Sequence, residues 1–595
     1  MKETSHRAAA RQIPAHQLMK VALGEAEADL AIVNGEIVNV YTGELLTGDT
    51  VLIKGDKIAY VGKSTSQSIG PDTQIIDASG KILIPGLIDG HTHITENTHS
   101  ASELIRYAMT SGTTTIITEV NAIAFPLGYR GIIEFLKSLR NQPIKFFITL
   151  PPMVAISPVA REHALTVNDF RKLLREKEVV GLGEPSWAPV LEGDERILDF
   201  IAETIQAGKI VDGHTAGARD NKLQAYIATG ISSCHEPITA EEVLERLRLG
   251  LFVLIREGEI RSELESIARI KDENIDLRRL ILSTDGLGPR QYVTDGYMDF
   301  VVQKAIELGF NPIPAIQMAT INVAQRFALD DFVGGIAPGK YADIVIIPDL
   351  TIIQPEYVIS NGQVVAKNGQ LLVEPREHTY PAAMQKTIHL NKRFEASDFA
   401  VPADSGRGKV RVRVIDQTTK LLTQEAIIEL PVSDGLVPMD TGKDILKVAA
   451  IERTYVPGKY FVGFIRGMGL KHGAVANSIA WDTSNIIVVG ASESDMAQAV
   501  NRLKELNGGI VVSAGGQILA ELSLPIGGII SQQPMGILAR KLQNIQEAAH
   551  NLGCSSPDIR LTLSVLTTAA IPFLRICEAG LVDVRQNRFI NLIVD

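Results

Sequence analysis

The chain of 595 residues carries 58 Lys and Arg against 69 Asp and Glu, a formal net charge of −11, with 45% hydrophobic and 21% charged residues. These fractions are those of ordinary globular proteins and exclude collagen-like, coiled-coil and disordered chains, while the length exceeds one domain of ~100–200 residues. The acidic excess falls almost wholly in residues 1–400 and excludes a general nucleic-acid binder, which needs Lys and Arg to displace phosphate counterions.

In chain order, residues 1–27 read as an N-terminal extension without the apolar centre of a secretory signal. No apolar run anywhere approaches the ~20 residues of a membrane-spanning helix. Cys234, Cys554 and Cys577 are too few and too scattered for a disulfide framework or a cysteine zinc site, so the expectation is a soluble cytoplasmic protein. Residues 30–40, 50–54 and 57–62 are short β-branched runs punctuated by Asn-Gly, Thr-Gly and Gly-Asp, which predicts small antiparallel strands joined by tight turns. The same texture returns at 342–347 and 357–366. A composite small β domain from 28–80 and 335–373 is expected.

Residues 81–334 change to apolar runs alternating with helical patterns, the signal for βα units. Eight runs stand at 82–89, 113–119, 145–150, 179–184, 210–214, 230–235, 252–257 and 280–285, which predicts a (β/α)8 barrel, a fold of ~250 residues. Residues 374–400 are polar and aperiodic and read as a linker. Residues 401–595 read as a separate C-terminal α/β domain, with strands at 408–415, 460–465 and 486–490 and helices at 494–506 and 535–551. The expected fold class is thus α/β: a barrel with a split β domain and a C-terminal addition.

The reactive residues cluster at the C-terminal ends of the runs, where barrel enzymes collect catalytic groups. His91 and His93 alternate on a strand, so both imidazoles can face one ion. Glu184, His214, His235 and Asp285 end four later runs, and a closed barrel brings all six to one mouth. Four imidazoles and two carboxylates together form a ligand set for one or two divalent cations. Arg256, Glu257 and Glu119, also at run ends, are candidate substrate contacts. His99 and His472 are read as structural, and Cys234 as a small buried residue rather than a nucleophile.

The strand-end motif Gly90-His91-Thr92-His93 after 82–89 (ILIPGLID), with 181–184 (GLGE), 213–236, 254–258, 314–322 and 335–345, resembles the amidohydrolase superfamily of metal-dependent hydrolases. Within it the chain is most similar to the adenine deaminase family, through 461–490 and 522–528 as well. That resemblance implies a binuclear centre with His91 and His93 on one ion, His214 and His235 on the other, Glu184 bridging, and Asp285 binding the first ion and managing protons. It implies hydrolysis of adenine to hypoxanthine and ammonia by a metal-activated hydroxide, with manganese or iron as cofactor and zinc also compatible with N/O donors. The small-molecule substrate is the expected partner, and assembly as a homo-oligomer stays open. The chain departs from the family pattern at Glu119-Val120-Asn121-Ala122, at Gly286 and at Trp481-Asp482-Thr483-Ser484-Asn485. Another aminated heterocycle or a cyclic amide is therefore the alternative substrate, and a non-catalytic metal-binding homologue the second alternative.

Overall fold

The computed structural model describes residues 14–63, 66–404, 406 and 408–594. Among these, a nine-stranded sheet joins both flanks of the chain. Ile344–Ile347 pairs antiparallel with Ile82–Pro85, which runs parallel to Leu30–Asn39, and Glu44–Lys54 and Lys57–Gly62 follow. On the other side, Tyr357–Ser360 turns into Gln363–Lys367 through Asn361 (φ 50°) and Gly362 (φ 75°). Positive φ at both central residues is the requirement of the hairpin turn that Asn-Gly favours. Asn34-Gly35 behaves differently from expectation: Leu30–Asn39 is one strand, and the pair forms a bulge where the register shifts between Ile32 and Gly35.

The first predicted run, 82–89, is divided at Gly86. Ile82–Pro85 belongs to the small sheet, and Leu87–Thr92 (β1) opens a parallel series. It continues with Thr113–Glu119 (β2), Lys145–Leu150 (β3), Val179–Leu182 (β4), Ile210–Val211 (β5), Ser233–Cys234 (β6), Phe252–Arg256 (β7) and Leu280–Ser283 (β8). β1 to β5 pair in order in one sheet and β6 to β8 in another. The arcs approach at both ends: the Ser232 N–H donates to the Val211 carbonyl at 3.1 Å, and the Asp285 N–H to the His91 carbonyl at 3.0 Å. On the inner faces Ile88, Ile117, Val180, Leu254 and Ile281 form one apolar cluster with Val323 and Phe327. Outward-facing residues pack beneath helices such as Glu195–Gln206, which is capped by Asp194 and buries Ile197, Phe200 and Ile201.

Residues 374–400 are packed rather than loose. Met384, Ile388, Leu390, Phe394 and Phe399 are buried, and both the N–H and the carbonyl of Phe394 bond the Asn501 side chain. A polar, aperiodic stretch gives no periodic signal, yet its scattered apolar side chains find the core. Beyond it lies a second nine-stranded sheet centred on Leu446–Glu452 and Asn485–Gly490, with helices Glu493–Leu506 and Met535–Asn551 packed against it. A three-stranded meander, Leu574–Cys577, Gly580–Asp583 and Arg588–Ile590, follows.

This C-terminal part docks onto the segments that follow the C-terminal ends of the parallel strands through specific polar contacts. Met535 N–H donates to Glu103 at 2.8 Å, Tyr455 OH to the Phe125 carbonyl at 2.8 Å, and Ser157 Oγ to Glu578 at 2.9 Å. Arg560, 5% exposed, pairs with Glu259 on the loop after β7 and donates to the Glu96 carbonyl. Among the described residues no helix is long and apolar enough to cross a membrane.

Candidate metal centre

The end of β1 directs His91 and His93 to one side, with ring centroids 5.0 Å apart. His91 Nε2 lies 2.7 Å from Glu184 Oε1 and 3.3 Å from Asp285 Oδ1; His93 Nε2 lies 3.4 and 3.2 Å from the same two atoms. These four side chains form one convergent donor group, and Glu184, His214 and His235 form a second. His214 Nδ1 is 3.6 Å from Glu184 Oε2, and His235 Nε2 is 3.2 Å from Glu184 Oε1. Glu184 is therefore common to both groups.

The backbone around the group is arranged to hold it. Asp89, fully buried, accepts from the His91 and Thr284 N–H groups at 3.2 Å each, from Thr284 Oγ1 at 2.6 Å and from Tyr297 OH at 2.8 Å, tying β1 to β8. Gly183 is needed for close approach: a Cβ there would sit 2.0 Å from Glu119 Oε1. Asp285 adopts φ 54°, the left-handed region, at the end of β8, a strained position of the kind that occurs at functional sites. Its carboxylate is also reached by Arg256 Nη1 at 3.4 Å, and Arg256 is itself fixed by two bonds to Glu263 at 2.9 and 3.0 Å.

Electrostatics follow from burial and proximity. Burial penalises the charges of Glu184 and Asp285, but the imidazoles around them, and Arg256 beside Asp285, outweigh it and hold both carboxyls well below the usual range. Burial likewise opposes a proton on His91, His93 and His214, yet the carboxylates win. The first two are raised well above the ordinary imidazole value, and His214 is pushed up to about 9. Glu119 is pushed up to about 8 by burial and the charge of Glu184. A field that retains protons on imidazoles equally favours a divalent cation, which binds neutral imidazole and releases those protons. His91 Nε2 and Glu184 Oε1 are moreover buried without a hydrogen-bond partner of proper geometry, an unstable state for polar atoms unless a cation lies between them. The donor set therefore fits a divalent metal.

Of the candidate substrate contacts, Arg256 borders the cavity over the cluster, a space of about 470 Å³. Glu257 lies on the alternate face of the strand end and is engaged by Lys304 at 2.8 Å and by Ser262, away from that cavity. Glu119 lies below Glu184, where Thr149 Oγ1 donates to it at 3.0 Å. His99 is buried against the Ser100 carbonyl, and Cys234 sits inside β6 with its thiol pushed up to about 12 by burial.

Two carboxylates escaped the sequence reading. Glu96 Oε2 lies 3.2 Å from His93 Nδ1, one helical turn away, and accepts the Ala122 N–H through Oε1 at 3.1 Å. Glu236 Oε1 lies 3.1 Å from His214 Nδ1 and 2.9 Å from His235 Nε2, while Oε2 accepts from Thr215 N–H and Oγ1. A carboxylate at i+3 from one ligand and i+1 from another was the available signal.

Residues 82–371 match the amidohydrolase family, and residues 420–588 match the adenine deaminase C-terminal domain. The curated adenine deaminase of Moorella thermoacetica (strain ATCC 39073 / JCM 9320) is 37% identical over 583 residues, covering 97% of this chain and 98% of that protein. The chain belongs to the adenine deaminase family. Adenine deaminase 3 of Rhizobium meliloti (strain 1021), another relative, is 37% identical over 587 residues, 98% of each chain. Among solved structures, a beta-aspartyl dipeptidase from Fervidobacterium islandicum AW-1 is similar at 20% identity and a TM-score of 0.46, over 59% of this chain and 98% of that one. In this chain the C-terminal domain forms a wall of the cavity through Leu421, Trp481, Asp482 and Ile571, so the donor cluster and this wall come from one chain.

Proposed function

We propose that this chain hydrolyses adenine to hypoxanthine and ammonia, water replacing the exocyclic amine at C6. The observation that carries the reading is the pair of donor groups sharing Glu184 in a cavity walled in part by the C-terminal domain, in a chain related over nearly its whole length to adenine deaminases. Two ions, manganese or iron, with zinc also suited to these donors, are the proposed cofactor: one held by His91, His93, Glu184 and Asp285, the other by Glu184, His214 and His235. When bound, such ions supply Lewis-acid polarisation and lower the pKa of water from 15.7 to about 7.

The protein's own groups do the rest. Asp285, anionic at neutral pH and oriented by Arg256, takes the proton of the attacking water and returns it to the departing amine, as general acid–base catalysis requires. Glu96 lies against His93 Nδ1 and orients that imidazole, while Asp89 holds the backbone of His91 through its N–H. The apolar wall from the C-terminal domain excludes bulk water, which strengthens every charge interaction inside. The proposal includes closure of β1 to β8 into one eight-stranded barrel, with 28–80 and 335–373 as the small β domain, and a cytosolic location consistent with three buried free thiols.

Asn121 and Trp481, which depart from the family pattern, both border the cavity, and this favours a second reading in which another aminated heterocycle or a cyclic amide is the substrate. Metal-loaded protein is assayed for ammonia release and loss of adenine absorbance. Turnover of adenine supports the first reading; no turnover at high enzyme concentration, with turnover of another ring in a panel, selects the second. Fewer than one bound ion per chain after reconstitution would point to a non-catalytic homologue.

A further inference from the structure

Two side chains far apart in sequence meet at the wall of the cavity that holds the donor cluster. Asn121 opens the helix Asn121–Leu139 after β2, and Asp482 lies in the loop before Asn485–Gly490. Asn121 Nδ2 donates to Asp482 Oδ1 at 2.8 Å, and Thr568 Oγ1 donates to Asp482 Oδ2 at 2.5 Å. Asp482 holds φ 61°, a left-handed conformation uncommon outside glycine and imposed by its surroundings. Its carboxyl is buried, yet every hydrogen bond it accepts comes from a neutral group, and the charge acting on it is that of Glu96, of like sign.

A buried carboxyl without a cationic partner is costly and needs a further donor. A carboxylate has about four acceptor sites, and Asn121, Thr568 and the Ala569 N–H use three. The group faces the same cavity as Glu184, His214 and Asp285. Purines carry, on the edge away from C6, a ring N–H and an adjacent acceptor nitrogen. Asp482 keeps one acceptor site for the first, and the second N–H of the Asn121 amide offers a donor for the other.

We infer that Asp482, held by Asn121 and Thr568, recognises the five-membered-ring N–H of the substrate, so that the C-terminal domain selects ring systems unsubstituted at that nitrogen. This rests on the deaminase reading. Asp482 and Asn121 are then specificity residues, reading the end of the ring that the reaction leaves unchanged.

The test uses full-length, metal-loaded protein and two ligands with no amine to hydrolyse, hypoxanthine and 9-methylhypoxanthine, titrated calorimetrically against wild type, Asp482→Asn, Asp482→Ala and Asn121→Ala. Loss of a hydrogen bond to a charged acceptor weakens binding between about tenfold and a hundredfold. Hypoxanthine affinity should fall by that factor in both Asp482 variants and severalfold in Asn121→Ala. The affinity for 9-methylhypoxanthine should change less than about threefold, with bound metal and circular dichroism as in wild type. Should the Asp482 variants fail to fold, Asn121→Ala decides: an unchanged ratio of the two affinities overturns the inference. Wild type that deaminates adenine while all folded variants keep the wild-type ratio overturns the inference alone; wild type that neither deaminates adenine nor binds hypoxanthine overturns the deaminase reading beneath it.

Discussion

Glu236→Gln probes the end of the centre formed by His214 and His235. In the folded protein burial penalises the Glu236 charge, but the two imidazoles overcome the penalty and hold the carboxyl below its usual range. Oε2 is committed to the Thr215 N–H and hydroxyl, so Oε1 alone faces His214 Nδ1 at 3.1 Å and His235 Nε2 at 2.9 Å. Glutamine can keep the Thr215 bonds only with its oxygen on that side, which turns its NH2 toward the imidazoles and toward any cation they hold. The substitution thus replaces one anionic acceptor with a donor, without changing volume. Because Oε1 faces the ligand nitrogens themselves, the loss is that of an anionic oxygen beside the cation. A fall of ~10–100-fold in metal affinity, about 1.4–2.7 kcal/mol, is expected, of the size found for losing a group that supports a metal site. After dialysis against a graded chelator, elemental analysis should show one ion per chain lost at ~10–100-fold lower chelator activity than in wild type, with the second ion retained. Two ions held as tightly as in wild type would refute the assignment of Glu236 to this end of the site.

His91→Ala and Glu184→Gln should each abolish metal-dependent turnover while circular dichroism stays that of a folded protein; wild-type activity in either overturns the ligand roles. Burial pushes the Asp482 carboxyl up to about 6 from an ordinary 3.8, against the bonds from Thr568 and Asn121. The folded state then binds more protons than the unfolded state between pH ~4 and ~6, so this group's contribution to stability falls as pH rises through that window, by about 3 kcal/mol. Asp482→Asn should gain stability relative to wild type at pH 8 and lose that advantage at pH 4; parallel unfolding midpoints across the range would refute it. Arg560→Met strips the buried partner from Glu259, whose side chain keeps 25% exposure, so a cost of about 2–3 kcal/mol is expected rather than the ~3–5 of a fully buried pair. With an unfolding entropy of ~2.1 cal/mol/K per residue the thermal midpoint should fall by about 2 °C, and an unchanged midpoint would show the contact to be passive.

The local signals were legible wherever one strand carried them. Alternation placed His91 and His93 on one face, and apolar runs located all eight parallel strands, because burial on both sides forces nearly continuous β-branched and aliphatic sequence. The division of the first run at Gly86 was hidden, since both halves are equally apolar and only pairing partners tell them apart. The packed course of 374–400 was hidden for a related reason: its apolar residues answer to surfaces supplied by other segments, not to a period of their own. By itself the sequence determined the element types, the six strand-end donors and the family. The tertiary structure alone decided that Glu96 backs His93, that Glu236 faces the same nitrogens of His214 and His235 as Glu184 does, that Glu257 turns away, and that Asp482 meets Asn121 at the cavity. Such contacts join residues up to 361 positions apart, and no local propensity encodes them; they exist only once packing has spent the entropy of closing the chain.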